Sequence, residues 1–133
     1  MNKQIDKLAW LYIKNNKLLV ARSKNKTAFY VPGGKREPGE DDQQALIREV
    51  KEELSVDLLT ESIRYAETFT APADGKTGEL EVKLTCYFAD FTGELAAAAE
   101  IEIFDFISYE QKSLTSTATH KVMEWLKAQS YFN

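Results

Sequence analysis

The stretch Gly34-Lys35-Arg36-Glu37-Pro38-Gly39-Glu40-Asp41-Asp42-Gln43-Gln44-Ala45-Leu46-Ile47-Arg48-Glu49-Val50-Lys51-Glu52-Glu53-Leu54-Ser55-Val56 decides most of what this chain can be. It is entered through Pro32-Gly33-Gly34, a strong backbone punctuator. Lys35 to Gly39 is a polar loop closed by Pro38-Gly39. The spacing then predicts a helix from about Asp41 to Leu54. Asp41 and Asp42 sit in its first turn, where negative charge complements the helix dipole. Leu46, Ile47, Val50 and Leu54 recur at helical spacing and form a core stripe. Glu49, Glu52 and Glu53 are related by i, i+3 and i+4, so they share a face. That face is expected beside the apolar stripe, at the rim of the core, where a pocket wall would stand.

Three carboxylates on one face repel each other, and such pairs destabilise an isolated helix. Arg48 can pair with one of them. Hard divalent cations prefer oxygen ligands, and Mg²⁺ bridges carboxylates and phosphates. Gly33-Gly34 permits close backbone approach to a ligand or metal, and a glycine carbonyl could itself be a ligand. Lys35 and Arg36 add positive charge nearby. Taken singly, the glutamates would be a solvated helix face and the glycines a simple turn. The ordered combination is what points to a metal site.

Outward from this segment the chain reads as strands. Leu8 to Ile13 is an apolar, aromatic-rich run, interrupted by Lys14-Asn15-Asn16-Lys17 and resumed at Leu18 to Ala21. Two strands joined by an Asn-containing turn explain it. Phe29-Tyr30-Val31 is a short apolar stretch. Tyr65 to Thr70 reads as a strand, and Pro72-Ala73-Asp74-Gly75-Lys76 as a turn or hairpin loop. Leu80, Val82, Leu84, Cys86 and Phe88 alternate with polar neighbours, the clearest period-2 strand in the chain. Gly93 to Ala99 is a small-residue loop. Ile101 to Ile107 suits another strand, and Thr117 to Gln129 a terminal helix with Val122, Trp125 and Leu126 on one side. Strands, a helix, more strands and a final helix predict a mixed α/β sandwich.

The chain has 133 residues, which suits one compact domain over 1–133. Its 44% hydrophobic and 29% charged residues supply a core without staples. A net charge of −4 argues against a broad basic surface for nucleic acid. Cys86 is the single cysteine, so no internal disulfide can form, which fits a reducing compartment. No signal peptide is visible after Met1, and no run approaches the ~20 apolar residues of a membrane span. The expected setting is cytoplasmic, with a small-molecule partner. A homodimer is compatible with the sequence.

The fixed spacings match a known pattern. Gly34, five residues, Glu40, seven residues, Arg48-Glu49-Val50, one residue, Glu52-Glu53, then Leu54-Ser55-Val56 resembles the Nudix box. Every fixed position agrees except the last glycine, which is Ser55. The resemblance implies a Nudix fold, an αβα sandwich around a mixed β-sheet with the box forming loop–helix–loop. It implies hydrolysis of a nucleoside diphosphate linked to another moiety, with Mg²⁺ or Mn²⁺. Carried over by position, Glu52 and Glu53 look like metal ligands. Glu49 looks like a ligand or the group that positions water, and Arg48 like the residue that orients these glutamates. Glu40 looks mostly structural, or like an outer metal contact. Gly33 or Gly34 would offer a carbonyl to the metal. Glu100 resembles a later glutamate that reaches the metal, with Glu102 as second choice. The departure at Ser55 bears on the helix exit rather than on the glutamates.

A MutT-like nucleoside triphosphate pyrophosphohydrolase follows from this resemblance and the small size, with an oxidised nucleotide as one candidate. The rivals are a nucleotide sugar such as ADP-ribose, a dinucleoside polyphosphate, a capped RNA end, and a non-catalytic nucleotide sensor. Arg22, Lys35 and Tyr30 are candidate substrate contacts, and Phe29 could line a base pocket. Tyr87 and Lys83 sit on the polar side of a strand that could face that pocket. His120, Cys86, Trp10 and Trp125 read as packing or surface residues.

Overall fold

The computed structural model describes residues 3–73 and 80–133. Along the chain it has β1 (Lys3–Leu11), β2 (Ile13–Lys14), β3 (Lys17–Ser23), β4 (Gly33–Lys35), α1 (Asp42–Leu54) and β5 (Asp57–Leu58). A 3₁₀ turn at Thr60–Ser62 leads to β6 (Arg64–Pro72), β7 (Leu80–Phe88), β8 (Phe91–Thr92) and β9 (Ile101–Ile107). A second 3₁₀ segment, Tyr109–Leu114, precedes α2 (Thr117–Ala128). The main sheet has the order β4-β1-β7-β6, and β2-β3-β9 form a second sheet beside a short β5–β8 ribbon. β1 runs parallel to β7 and antiparallel to β4, and β6 is antiparallel to β7, so the sheet is mixed.

Both faces of the sheets are covered, and the strand alternation shows why. Leu8 and Trp10 of β1 and Leu19 and Ala21 of β3 pack with Leu46, Val50 and Leu54 of α1. Their neighbours Ala9, Leu11, Leu18 and Val20 pack with Val122, Met123 and Leu126 of α2. Successive side chains point to opposite faces, so near-continuous apolar strands demand a helix on each side. This is the αβα sandwich expected from the sequence.

Two local expectations change. The apolar run predicts a strand over Leu8–Ile13, yet β1 begins at Lys3 and stops at Leu11. Parallel pairing with β7 holds register from Lys3↔Leu80 to Leu11↔Phe88, so the backbone ladder carries polar residues into the strand. The Asn turn joins two strands as expected, but the first of them is the two-residue β2, set off from β1 at Tyr12. Asn15 and Asn16, at φ 54° and 64°, close a two-residue hairpin between β2 and β3, the left-handed pair a tight hairpin requires. Of the expected loop after β6, Asp74, Gly75 and Lys76 lie outside the described residues.

Trp10 is fully buried, with its indole N–H donating to the Ala89 carbonyl at 3.0 Å. Cys86 is also fully buried, and burial pushes its thiol well above the ordinary range. Thiolate is the reactive form. A disulfide-exchange reagent at pH 8 should therefore leave the folded chain unmodified for hours and release about one thiol per chain upon denaturation. Rapid native labelling would contradict this placement. Among the described residues no helix is long and apolar enough to cross a membrane.

Candidate active site

The helix that carries the glutamates is pinned at both ends. The Asp41 carboxylate accepts from the Gln44 N–H at 2.8 Å, and the Gln44 side chain accepts from the Asp41 N–H at 2.9 Å. This is a capping box. At the other end Ser55 takes the left-handed conformation at φ 68°, where the Nudix box has glycine. Its N–H reaches the Lys51 carbonyl at 3.1 Å, and its Oγ donates to the Ala96 carbonyl at 3.1 Å. The second bond offsets part of the strain a side chain meets there, so the exit bends as glycine would bend it.

The three glutamates are not equivalent. At about 100° per residue, Glu53 lies roughly 70° from the centre of the Leu46–Ile47–Val50–Leu54 stripe, Glu49 roughly 110° and Glu52 roughly 170°. Burial follows that order. Glu53 is 3% exposed, whereas the Glu49 and Glu52 side chains are 16% and 52% exposed. The expectation that all three lie beside the core stripe therefore holds for Glu53 and Glu49. Glu52 points nearly away from the core and meets Arg48 at 3.3 Å.

Arg48 organises the loop against the helix. Its Nε and Nη2 donate to the two oxygens of Glu40 at 2.6 and 2.8 Å, a bidentate pair. Nη2 also donates to the Lys35 carbonyl at 3.1 Å, and Nη1 approaches Glu49 at 3.3 Å. Hydrogen bonds from Arg48, with the Glu37 N–H, hold the Glu40 carboxyl down at about 2. Glu40 thus stays ionised and clamps the loop from outside the cavity lining, sharing the Arg48 guanidinium with Glu49.

Gly33 and Gly34 let that loop touch the helix. The Gly33 N–H donates to Glu53 Oε1 at 3.0 Å. A Cβ on Gly34 would stand 1.7 Å from Glu49 Oε2, so the missing side chain is the space the Glu49 carboxylate occupies. The obstructing atom is the end of a flexible side chain, which can swing away. Gly34→Ala should therefore unfold within a few degrees of the parent chain yet lose most of its hydrolytic turnover. A variant that keeps full turnover would show that the Glu49 position is irrelevant.

Glu49, Glu53 and Glu100 line one cavity of about 640 Å³ with Tyr30, Gly33, Gly34 and Lys35. Burial first, then the charges of Glu49 and Glu100, push the Glu53 carboxyl up to about 8. Burial and the neighbouring Glu52 raise Glu49 as well. Glu53 has the Gly33 N–H as its hydrogen-bond donor and no cationic partner among the described residues. A buried carboxylate beside two others, without a direct ion pair, matches what a hard divalent cation would satisfy. Among the described residues no group of three or more His, Cys, Asp or Glu side chains is closed tightly enough to hold an ion as it stands. The donor chemistry, carboxylate oxygens from Glu49, Glu53 and Glu100, fits such a cation.

The other candidates divide clearly. Glu100 shares the cavity, whereas Glu102 pairs with Arg22 at 2.7 Å. Arg22 also donates to the Lys26 carbonyl at 2.9 Å, stands over the Phe29 ring, and does not line the cavity. Tyr30 does, with its hydroxyl 2.6 Å from Ser23 Oγ and burial raising it to about 12. Lys35 lines the cavity too. Tyr87 donates to Asp42 at 2.5 Å, so it braces the start of α1, and neither it nor Lys83 lines the cavity. His120 is likewise outside it. Sequence reasoning missed Lys7, which lines the cavity from β1. The signal was present as a lysine interrupting the alternating apolar positions Ile5, Ala9 and Leu11.

The comparisons with known proteins agree with this architecture. No curated protein matches the chain in sequence. The solution structure of the E. coli ORF135 protein superposes with a TM-score of 0.73 at 24% identity, over 97% of this chain and 94% of that one. A MutT NUDIX hydrolase from Burkholderia pseudomallei superposes at 0.78 and 20% identity, over 92% and 98%. The E. coli dihydroneopterin triphosphate pyrophosphohydrolase superposes at 0.74 and 16% identity, over 98% and 99%. At these identities the likenesses establish the fold. The NUDIX domain model matches residues 7–126, from the first strand through most of α2. The chain therefore belongs to the Nudix hydrolase family, MutT-like in fold and a pyrophosphohydrolase by that membership.

Proposed function

We propose that the protein hydrolyses a nucleoside triphosphate between phosphates, releasing the nucleotide product and the inorganic phosphate fragment, with Mg²⁺ held by Glu49, Glu53 and Glu100. The observation that carries this reading is the buried Glu53 carboxyl in a cavity that the half-buried Glu49 and the exposed Glu100 also line. Three carboxylates line one cavity, and Glu53 is pushed up to about 8 with no ion-pair partner among the described residues. When bound, a divalent cation neutralises phosphoryl oxygens and polarises phosphorus towards attack. The Gly33 N–H orients Glu53 towards the rim. Arg48 anchors the loop through Glu40 and the Lys35 carbonyl and keeps Glu49 in the gap at Gly34. Glu49, raised above its ordinary value by burial, is placed to accept a proton from the attacking water. Glu52, exposed, paired with Arg48 and outside the cavity lining, would be at most a further ligand.

The substrate end of the cavity is mixed. Ile5, Val82 and Leu84 supply an apolar floor, while Tyr30, Ser23 and Thr119 supply hydroxyls. A volume of about 640 Å³ suits a nucleotide-sized ligand. The triphosphate named for the E. coli dihydroneopterin enzyme favours the same phosphate arrangement here. The deciding experiment is a panel with Mg²⁺ present, comprising nucleoside triphosphates, an oxidised guanine nucleotide, ADP-ribose, dinucleoside polyphosphates and capped RNA. Phosphate and pyrophosphate are read out separately after each reaction. Release of pyrophosphate from a triphosphate supports the proposal. Turnover confined to nucleotide sugars, or binding with no product, overturns it.

A further inference from the structure

Lys7, half-buried, and Lys35, exposed, form a like-charge pair on the wall of the cavity. They are register partners across β1 and β4, and both line the cavity. Directly opposed residues in an antiparallel pair have Cβ atoms about 4.5–5.5 Å apart, and like charges there are destabilising. Neither ammonium forms an ion pair among the described residues. Lys7 is half-buried, with Leu84 as its partner on the other side in β7. The next pair along the ladder is Leu8↔Gly34, so the two lysines stand about 3.4 Å along the strand from the glycine that admits Glu49.

We propose that Lys7 and Lys35 are a cross-strand phosphate clamp, a specificity element that holds the ionised phosphate next to the one being attacked. The proposal rests on the reading of the cavity as a polyphosphate site. Each ammonium has three donors and no acceptor, and a phosphate offers several charged acceptors that both can share. A bound anion converts the repulsion between the lysines into two attractions. Burial, and then the charge of Lys35, hold the Lys7 ammonium below the ordinary lysine range, which an anion would reverse. The competing role is local, with Lys7 balancing Glu53 and Glu49 at the rim.

The test is calorimetric titration of the full chain with inorganic tripolyphosphate, once with Mg²⁺ and once with EDTA. Lys7→Met should weaken binding at least ten-fold in both conditions. Lys7→Arg should stay within about three-fold of the parent chain, and the distant exposed Lys14→Met within about two-fold. Methionine preserves the apolar stem against Ile5 and Leu84, and Lys7→Gln serves as a second variant if Lys7→Met unfolds. Binding by Lys7→Met within two-fold of the parent, or no measurable parent affinity in EDTA, overturns the clamp. A loss seen only with Mg²⁺ also overturns it and assigns Lys7 to the carboxylate rim. The outcomes remain distinguishable from those of the substrate reading. A chain that binds tripolyphosphate through Lys7 yet hydrolyses no triphosphate refutes the reaction and keeps the clamp.

Discussion

Glu53→Gln should abolish hydrolysis while leaving the fold intact. Glu53 is nearly fully buried, accepts the Gly33 N–H and lies beside Glu49 and Glu100. Glutamine has the same shape, and its amide oxygen can accept the same bond. What it removes is the charge. If the metal contributes several kcal/mol to the transition state, then at 1.36 kcal/mol per ten-fold the loss is roughly a thousand-fold or more in kcat/KM. Without metal the variant should unfold at the parent temperature or above it, because burial and two neighbouring carboxylates oppose the ionised form it eliminates. The parent chain should gain thermal stability on adding Mg²⁺, since a ligand that binds the native state alone stabilises it, and most of that gain should vanish in the variant. Measuring turnover and Mg²⁺-dependent unfolding together separates the roles. Unchanged turnover would sink the assigned part for Glu53, and a preserved Mg²⁺ shift would move the metal elsewhere.

Gly33→Ala should have the opposite profile, a loss of stability first. Gly33 sits at φ 144°, a conformation that side chains rarely adopt, and a Cβ there would meet the Leu8 carbonyl oxygen at 2.0 Å. The obstacle is backbone of the paired strand β1, beside the end pair Ala9↔Gly33 of the β1–β4 ladder. It cannot swing aside as Glu49 can at Gly34. Backbone strain together with a displaced strand should cost about 3 kcal/mol or more, lowering Tm by roughly 10 °C. The Gly33 N–H would also move from Glu53, so turnover should fall with it. Thermal unfolding of the two alanine variants side by side is the check. Equal, small shifts for both would refute the distinction between a backbone obstacle and a side-chain one.

These two expectations show which parts of the site were legible. The helix, its capping aspartate and its apolar stripe are local properties, fixed by residues within a few turns of one another. They could be read from periodicity alone, as could the burial order of Glu53, Glu49 and Glu52 once the angles were worked out. The matching of Arg48 to Glu40 was readable as a spacing, though not as a bidentate pair that also reaches the Lys35 carbonyl. The role of Ser55 was legible as a departure, and its bond to Ala96 was not.

The remainder depended on pairings between distant segments. From sequence Glu100 is the first choice and Glu102 the second, and plain alternation would put both on one face. Glu100 precedes β9, and the register shift between Arg22 and Ser23, beside Ile101–Ile103, separates them. One side chain is directed to the cavity, and its neighbour two residues on pairs with Arg22. Arg22 looked like a phosphate contact because it ends a strand, but that strand pairs with β9 and carries the guanidinium to Glu102. Lys7 acquired meaning from a parallel pairing with a strand more than seventy residues later and an antiparallel one with Lys35. By itself, then, the sequence determined the glutamate-bearing helix, the sandwich class and the family, because helical spacing and strand alternation are local. The tertiary structure alone decided which charges share the cavity, because register between strands remote in the chain sets the face each side chain meets.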